Sequence, residues 1–271
     1  PQGTVLGLIL FVIMISDLDK SLRKSFTSLF ADDTRVSAQI CNESDVIEFQ
    51  KELDEKLYTW APSNKAVFNG DKLEHIHYGK LMANNPPQFT DPNNKSITTK
   101  SEIKDLGVVI SNSLEWTPHI LKVIAQSRRQ SAWILRIFSK RDPLTIKTLW
   151  TSLIRPLLDY NSPLWSPAPT NYSNIDRLEG VLRSFTKHVE GTQNMSYKER
   201  LSYLKLSSIQ RRHERYKIIY VYKIKEGLVA NLPNDPSNQG QSFSLIFSFN
   251  PRNGFRCSLP QPKLYHNPAL I

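Results

Sequence analysis

Cysteine is scarce. Cys41 and Cys257 are the only two in 271 residues, far apart and without metal-ligand spacing, which excludes a disulfide scaffold or a zinc knuckle within the chain. Long apolar runs are missing as well. Val5 to Ile15, broken only by Gly7, spans 11 residues, short of the roughly 20 that cross a bilayer. Its first basic neighbour, Lys20, follows the run instead of preceding it, the wrong order for a signal peptide. The run is expected to be a helix buried beneath a sheet, and no membrane partner is expected. No internal repeat is present. His75 and His77 would point both rings to one face of a strand, but no further ligands accompany them, so no metal site is expected there.

What the chain does have is basic charge, unevenly spread. With 39% hydrophobic residues it can bury a substantial core, enough for two domains. Residues 1–118 carry 12 basic and 16 acidic side chains, a net of −4, whereas residues 119–227 carry 20 and 8, a net of +12. The remaining tail adds +2. Lysine and arginine that meet phosphates release counterions, so a nucleic acid bound to the basic part would dissociate steeply with salt. A ribosomal or membrane-surface contact would also suit a basic balance.

The most informative stretch is Ser28-Leu29-Phe30-Ala31-Asp32-Asp33-Thr34, followed by the strand-like Arg35 to Ile40. Adjacent carboxylates at a hairpin tip repel unless a cation sits between them, and such a pair can hold magnesium beside a nucleotide. The bland alternative is a solvated turn, where Asp is favoured. Other segments flank the pair: Pro1-Gln2-Gly3-Thr4-Val5-Leu6-Gly7, Phe68-Asn69-Gly70-Asp71-Lys72, His77-Tyr78-Gly79, and Lys104-Asp105-Leu106-Gly107-Val108. Further on come Leu158-Asp159-Tyr160-Asn161-Ser162-Pro163-Leu164-Trp165-Ser166-Pro167 and Ser196-Tyr197-Lys198-Glu199-Arg200-Leu201. In this order and spacing, the set resembles the later palm motifs and the thumb and post-thumb region of reverse transcriptases from non-LTR (LINE-type, jockey- or CR1-like) retrotransposons.

The resemblance implies an RNA-directed DNA polymerase that transfers nucleotides onto a primer 3′ hydroxyl with two metal ions, magnesium or else manganese. It assigns Asp32 and Asp33 as catalytic residues and metal ligands, Asp32 foremost. Pro1, Gln2, Gly3, Phe30 and Ala31 would lie along template and incoming nucleotide. Lys72 would neutralise phosphate charge or be a plain surface lysine. Leu106, Gly107 and Val108 would form the strand-turn that grips the primer end, the glycine permitting a bend, although a buried strand with a bulge explains that glycine equally well. Apart from the resemblance, the basic helix faces carrying Arg128 and Arg129 and the dense stretch from Gln210 to Lys217, with Arg211, Arg212 and Arg215, would either contact the nucleic-acid backbone or be plain solvated faces. The implied partners are an RNA template, a DNA primer or target DNA, and deoxynucleotides, in nucleus or cytoplasm. The family's third carboxylate comes from a strand before the Pro-Gln-Gly segment, and this chain begins at Pro1; a fragment inactive by itself is the expectation. Asn64, Ala66, Leu73 and Leu8 also stand where the family usually has other residues.

The expected fold is α+β: a partial polymerase palm over 1–118 (antiparallel sheet with helices), an all-helical basic thumb over 119–232, and a loosely structured tail over 233–271. Within the palm, Phe26 to Ile40 reads as the acid-bearing hairpin. Glu43 to Trp60 reads as a helix capped by Asn42, with Val46, Leu53, Leu57 and Trp60 inward. Ala66 to Tyr78 and Ile103 to Ile110 read as strands, with an Asn- and Pro-rich surface loop, Asn84 to Thr99, between them. In the helical part, Ile120, Ile124, Leu135 and Phe138 suggest one packed face, opposite Lys122, Arg128, Arg129 and Arg136. Leu144 to Tyr160 should kink at Pro156. Ser173 with Asp176 and Ser196 with Glu199 resemble capping boxes, and Gly191 and Gly227 fit helix stops. A short hairpin is expected near Phe243 to Phe249. Two readings compete with the polymerase: a non-catalytic nucleic-acid-binding module built on the basic helices, and a structural helical protein whose acids are turn residues.

Overall fold

Apolar residues at helical spacing, interrupted by Pro and Gly, account for most of the elements seen in a computed structural model, which describes residues 5–18, 25–31, 33–79, 86–229, 246–250 and 254–258. The architecture is mixed α and β, with two-stranded antiparallel pieces ahead of a run of helices. The chain forms two compact units, Pro1–Lys217 and Ile218–Ile271.

Helix α1 spans Val5–Ile15. The expectation that it is buried fails: Leu6, Ile9, Leu10, Val12 and Ile13 are each more than half exposed. Apolar on every side, the helix has more faces than one small cluster can cover. Among its described side chains, Ile15 packs against Leu18, Leu53 and Leu57.

Strands β1 (Phe26–Phe30) and β2 (Asp33–Ser37) form the expected hairpin, antiparallel with Phe30 opposite Asp33, so Asp33 begins a strand instead of sharing the tip. Only Ala31 and Asp32 connect them, and Ala31 takes a positive φ of 51°, as a tight hairpin turn requires of its first central residue. Helix α2 (Glu43–Glu52) starts where expected, with Asn42 and Asp45 forming a reciprocal capping box. It continues through a π-helical segment, Leu53–Leu57, into α3 (Tyr58–Ser63). Leu53 and Leu57 face the small core, while Val46 and Trp60 are half-buried.

Two strand assignments need correction. Residues 66–78 do not form a strand; they hold a 3-10 turn, Gly70–Lys72, capped by Asn69, and a single bridge from His75 to Thr99. Gly70 lies so close to the Asp91 carboxylate that a Cβ there would collide with it. Residues 103–110 are not one strand but a hairpin, β3 (Glu102–Asp105) with β4 (Val108–Ser111). Its two-residue turn has φ of 43° at Leu106 and 88° at Gly107, the doubly left-handed geometry whose twist matches that of the paired strands. The expected palm sheet is therefore two separate hairpins among the described residues. The Asn- and Pro-rich loop is also less superficial than expected. Phe89 is buried edge-on between Phe49 and His75, at centroid distances of 5.3 and 4.9 Å, and the buried Asp91 carboxylate accepts from Asn93 N and Lys95 N.

From Thr117 to Lys225 the regular elements are helical. Helix α4 (Thr117–Ile137) buries Ile120, Val123, Ile124 and Ile134 and leaves Lys122, Arg128, Arg129 and Arg136 exposed. Next come α5 (Pro143–Leu149), a π segment (Trp150–Ile154) and α6 (Arg155–Asp159). The widened turn sits directly before Pro156, whose ring and missing N–H break the regular ladder. Helix α7 (Ser162–Trp165) leads to α8 (Tyr172–Thr186), α9 (Tyr197–Tyr203) and α10 (Ile209–Lys225). Ser196 and Glu199 form the expected capping box. The cap of α8 is instead Asn171, which accepts from Asn174 N, while Asp176 pairs with Arg183. Gly191 and Gly227 both have positive φ, and Gly227 directly follows α10's last turn.

The main core joins Val108, Trp150, Trp165, Leu178, Leu182 and Phe185 with the buried face of α4. Trp165 is fully buried, and truncating such a side chain to Ala costs about 3–5 kcal/mol. In the second unit, β5 (Ile246–Asn250) pairs with β6 (Gly254–Ser258), a hairpin slightly later than the sequence suggests; the rest of the tail lies outside the described residues.

Candidate active-site cleft and its helical support

A cleft of about 590 Å³ brings together segments distant in sequence: Phe30 and Asp33 from the first hairpin, Lys72, His75 and Tyr78 from the bent segment, and Asp105 and Leu106 from the second hairpin. Hairpin pairing sets the first group, since β2 starts at Asp33 directly after the turn. The 3-10 turn at Gly70–Lys72 presents Lys72, which is exposed, as is Asp33. Arg35 of β2 forms an ion pair with Asp105 of β3, tying the two hairpins together. With Arg35 half-exposed, such a pair contributes at most about 1 kcal/mol, so its role is mainly geometric. Burial, and secondarily the charge of His77, hold the His75 imidazole below its ordinary pKa. Burial likewise raises the Tyr78 phenol. His75 Nδ1 meets Thr99 Oγ1 at 3.0 Å, and its ring packs on Phe89, so it serves packing in the cleft wall.

Four of the expected site residues, Pro1, Gln2, Gly3 and Asp32, lie outside the described residues. Ala31 sits in the turn beside the cleft. Among the described residues no group of three or more His, Cys, Asp or Glu is placed to hold a metal ion. Asp33 supplies one exposed carboxylate on the cleft wall, the hard oxygen donor that magnesium accepts. Of the two expected metal ligands, Asp33 alone lies among the described residues, and one carboxylate is fewer oxygen donors than magnesium's octahedral shell takes.

The expected primer-grip residues divide. Leu106 lines the cleft, Gly107 makes the turn and Val108 is buried in the core. The turn is held from the helical part: Tyr160 Oη donates to Leu106 O at 2.8 Å. A Cβ on Gly107 would stand 3.4 Å from the Tyr160 ring. Tyr160 is itself fixed, because its carbonyl accepts from Trp165 Nε1 at 2.7 Å.

Behind the turn lies a buried polar stack that the sequence did not disclose. Trp165 is flanked edge-on by His119 and His213, at centroid distances of 5.0 and 5.3 Å. His119 Nδ1 accepts from Val109 N of β4 at 3.1 Å, and His213 Nε2 donates to Leu158 O at 2.9 Å. Burial lowers both imidazole pKa values, which keeps the rings neutral and suits these roles. Asp159 pairs with Arg212, whose guanidinium also lies over the Tyr216 ring at 5.5 Å. Arg212, expected on the nucleic-acid face, is therefore engaged in an ion pair with its side chain 19% exposed. Arg128, Arg129, Arg211 and Arg215 are exposed. Glu179 ties α10 to the rest by accepting from Gln210 N at 2.8 Å and from Tyr197 Oη. No sequence signal pairs residues such as Tyr160 and Leu106, or Asp159 and Arg212, although the segment from Leu158 to Trp165 stood out as a motif.

No family model, curated protein or solved structure matches the chain. No helix among the described residues is long and apolar enough to cross a membrane.

Proposed function

We propose that the chain carries the later palm and the thumb of an RNA-directed DNA polymerase of the non-LTR retrotransposon kind. The observation that supports this most is the convergence of Phe30, Asp33, Lys72 and Leu106, drawn from three separate motifs, on one cleft. In this reading, Asp33 with its neighbour Asp32 holds magnesium, which when bound supplies charge for activating the primer hydroxyl and steadying the pyrophosphate. Lys72 faces the nucleotide phosphates, and the turn at Leu106 and Gly107 carries the primer end. Arg128, Arg129, Arg211 and Arg215 contact the backbone of template and primer. The domain plan is a palm over 1–118, a thumb over 119–232 and a tail over 233–271.

The test is thermal melting of the chain with deoxynucleotide triphosphate, with and without magnesium. A ligand at a hundred times its Kd adds about 2.7 kcal/mol. Magnesium-dependent stabilisation that Asp33→Asn and Lys72→Gln each reduce is expected; stabilisation that neither alters would sink the assignment of the cleft.

A second reading, a binding module without catalysis, is favoured by the net +12 of residues 119–227. It predicts salt-sensitive binding of an RNA–DNA duplex that is indifferent to Asp33→Asn and to magnesium.

A further inference from the structure

Helix α4 contains Lys122, Arg128, Arg129 and Arg136 and no acidic residue. At about 100° per residue, Lys122, Gln126, Arg129 and Arg136 fall within about 60° of Trp133 around the helix axis, on the side opposite the core. Arg128 lies about 140° away. The cations at 122, 129 and 136 recur roughly every 10 Å along this stripe. Trp133 is 44% exposed and borders a shallow depression with Gln126, Arg129 and Arg136. Lys122, Arg129 and Arg136 have no ion-pair partner among the described residues.

Trp133 stands between Arg129 and Arg136 with nearly half its surface in water and outside the core that the apolar side of α4 fills. A second copy of the helix would bring together two stripes that each carry a cation at every other site and no acid to offset it. A lipid surface would need a broad apolar face, and the one α4 has is buried. An anionic partner with flat, unsaturated rings suits both features, since phosphates pair with the cations and a base stacks on the indole. Duplexes hide their base faces inside the stack; single strands do not.

We propose that this face of α4 binds single-stranded nucleic acid, with Trp133 stacking on an unpaired base and Lys122, Arg129 and Arg136 holding the phosphates to either side. The surface does not depend on the polymerase reading and would serve a non-catalytic module equally.

The test uses the whole chain and a fluorescent oligothymidylate of about 12 nucleotides, titrated by anisotropy at several salt concentrations beside a duplex of equal length. Trp133→Ala should weaken single-strand binding about tenfold or more and change duplex binding less than about twofold. Trp133→Tyr, which keeps an aromatic face, should retain most of the affinity. Arg129→Gln with Arg136→Gln should lower the salt slope by about 1.4, at roughly 0.7 per phosphate for single strands. Unchanged melting temperatures of these surface variants would show that the fold is intact; a variant that melts early is replaced by Trp133→Gln. The proposal is overturned if the chain fails to bind the single strand, if Trp133→Ala leaves that affinity unchanged, or if it weakens duplex binding equally. It is also overturned if Trp133 proves to be needed for binding anionic vesicles and not the oligonucleotide.

Discussion

The hydroxyl of Tyr160 donates to the carbonyl of Leu106 at 2.8 Å, across 54 positions of sequence. That bond joins the lip of the cleft to the helical part, at a turn whose two residues both hold left-handed backbone. Removing it should loosen the lip before it unfolds the molecule. Tyr160→Phe is expected to cost about 1 kcal/mol. Gly107→Ala, which forces a side chain into φ of 88°, should cost about 1–3 kcal/mol. Urea unfolding measures both, and a neutral Gly107→Ala would show that the turn is not built as described.

The Asp159–Arg212 pair is mostly shielded, with side-chain exposures of 15% and 19%. Truncating Arg212 to Ala leaves a carboxylate with weaker compensation, from Arg155 at 3.8 Å and from the Tyr216 hydroxyl at 3.5 Å. The expected loss is about 2–4 kcal/mol, near the range for breaking a buried pair. Arg211→Ala, one position away and exposed, should change stability by less than about 0.5 kcal/mol. Equal effects would contradict the placement of Arg212 inside the ion pair.

Acid should destabilise the fold through its buried imidazoles. Burial lowers the pKa of His75, His119 and His213 below the ordinary value of 6.5. The unfolded chain therefore binds more protons once pH drops below about 6.5. Stability is full above that value and falls as pH descends towards the folded-state pKa values. Chemical unfolding at neutral and mildly acidic pH should show this slope, and His119→Gln should flatten it. A stability that holds steady or rises on acidification would overturn this account.

Capping assignments separate in a similar way. Asn171→Ala should cost about 1 kcal/mol, because its side chain accepts from Asn174 N. Ser173→Ala should be nearly neutral, since Ser173 lies inside the first turn of α8. Thermal melting of the two variants decides which residue starts the helix.

Local rules made parts of this fold legible. The hairpin within residues 26–40, the Asn42 and Ser196 caps and the inward face of α4 follow from turn chemistry, capping and 3.6-residue periodicity, although Asp33 begins the second strand where both acids were expected at the tip. What escaped was set by distant partners. Residues 66–78 have strand-like composition, yet they take a 3-10 turn beside the Asp91 carboxylate and set His75 against the Phe89 ring, partners some 14 to 21 positions away. The stretch from Ile103 to Ile110 reads as one strand, yet the bend that Gly107 permits becomes a full hairpin turn at Leu106 and Gly107, with Tyr160 bonded to the Leu106 carbonyl. At the candidate site, Asp33 and Lys72 were visible as motif residues, but their sharing a cleft with Leu106 depends on how two hairpins are tied by Arg35 and Asp105. The stack of His119, Trp165 and His213 had no local signature at all.

The most direct measurement is RNA-templated primer extension in magnesium by the polypeptide in its natural full length, compared with its Asp32→Ala and Asp33→Ala variants. Extension by the parent that falls by about a thousandfold or more, a barrier increase of roughly 4 kcal/mol, in the Asp32→Ala protein is the predicted result, with a clear loss in Asp33→Ala. Undiminished extension after both substitutions, or no extension by the parent under any divalent ion, would contradict the assignment of this cleft as a polymerase site.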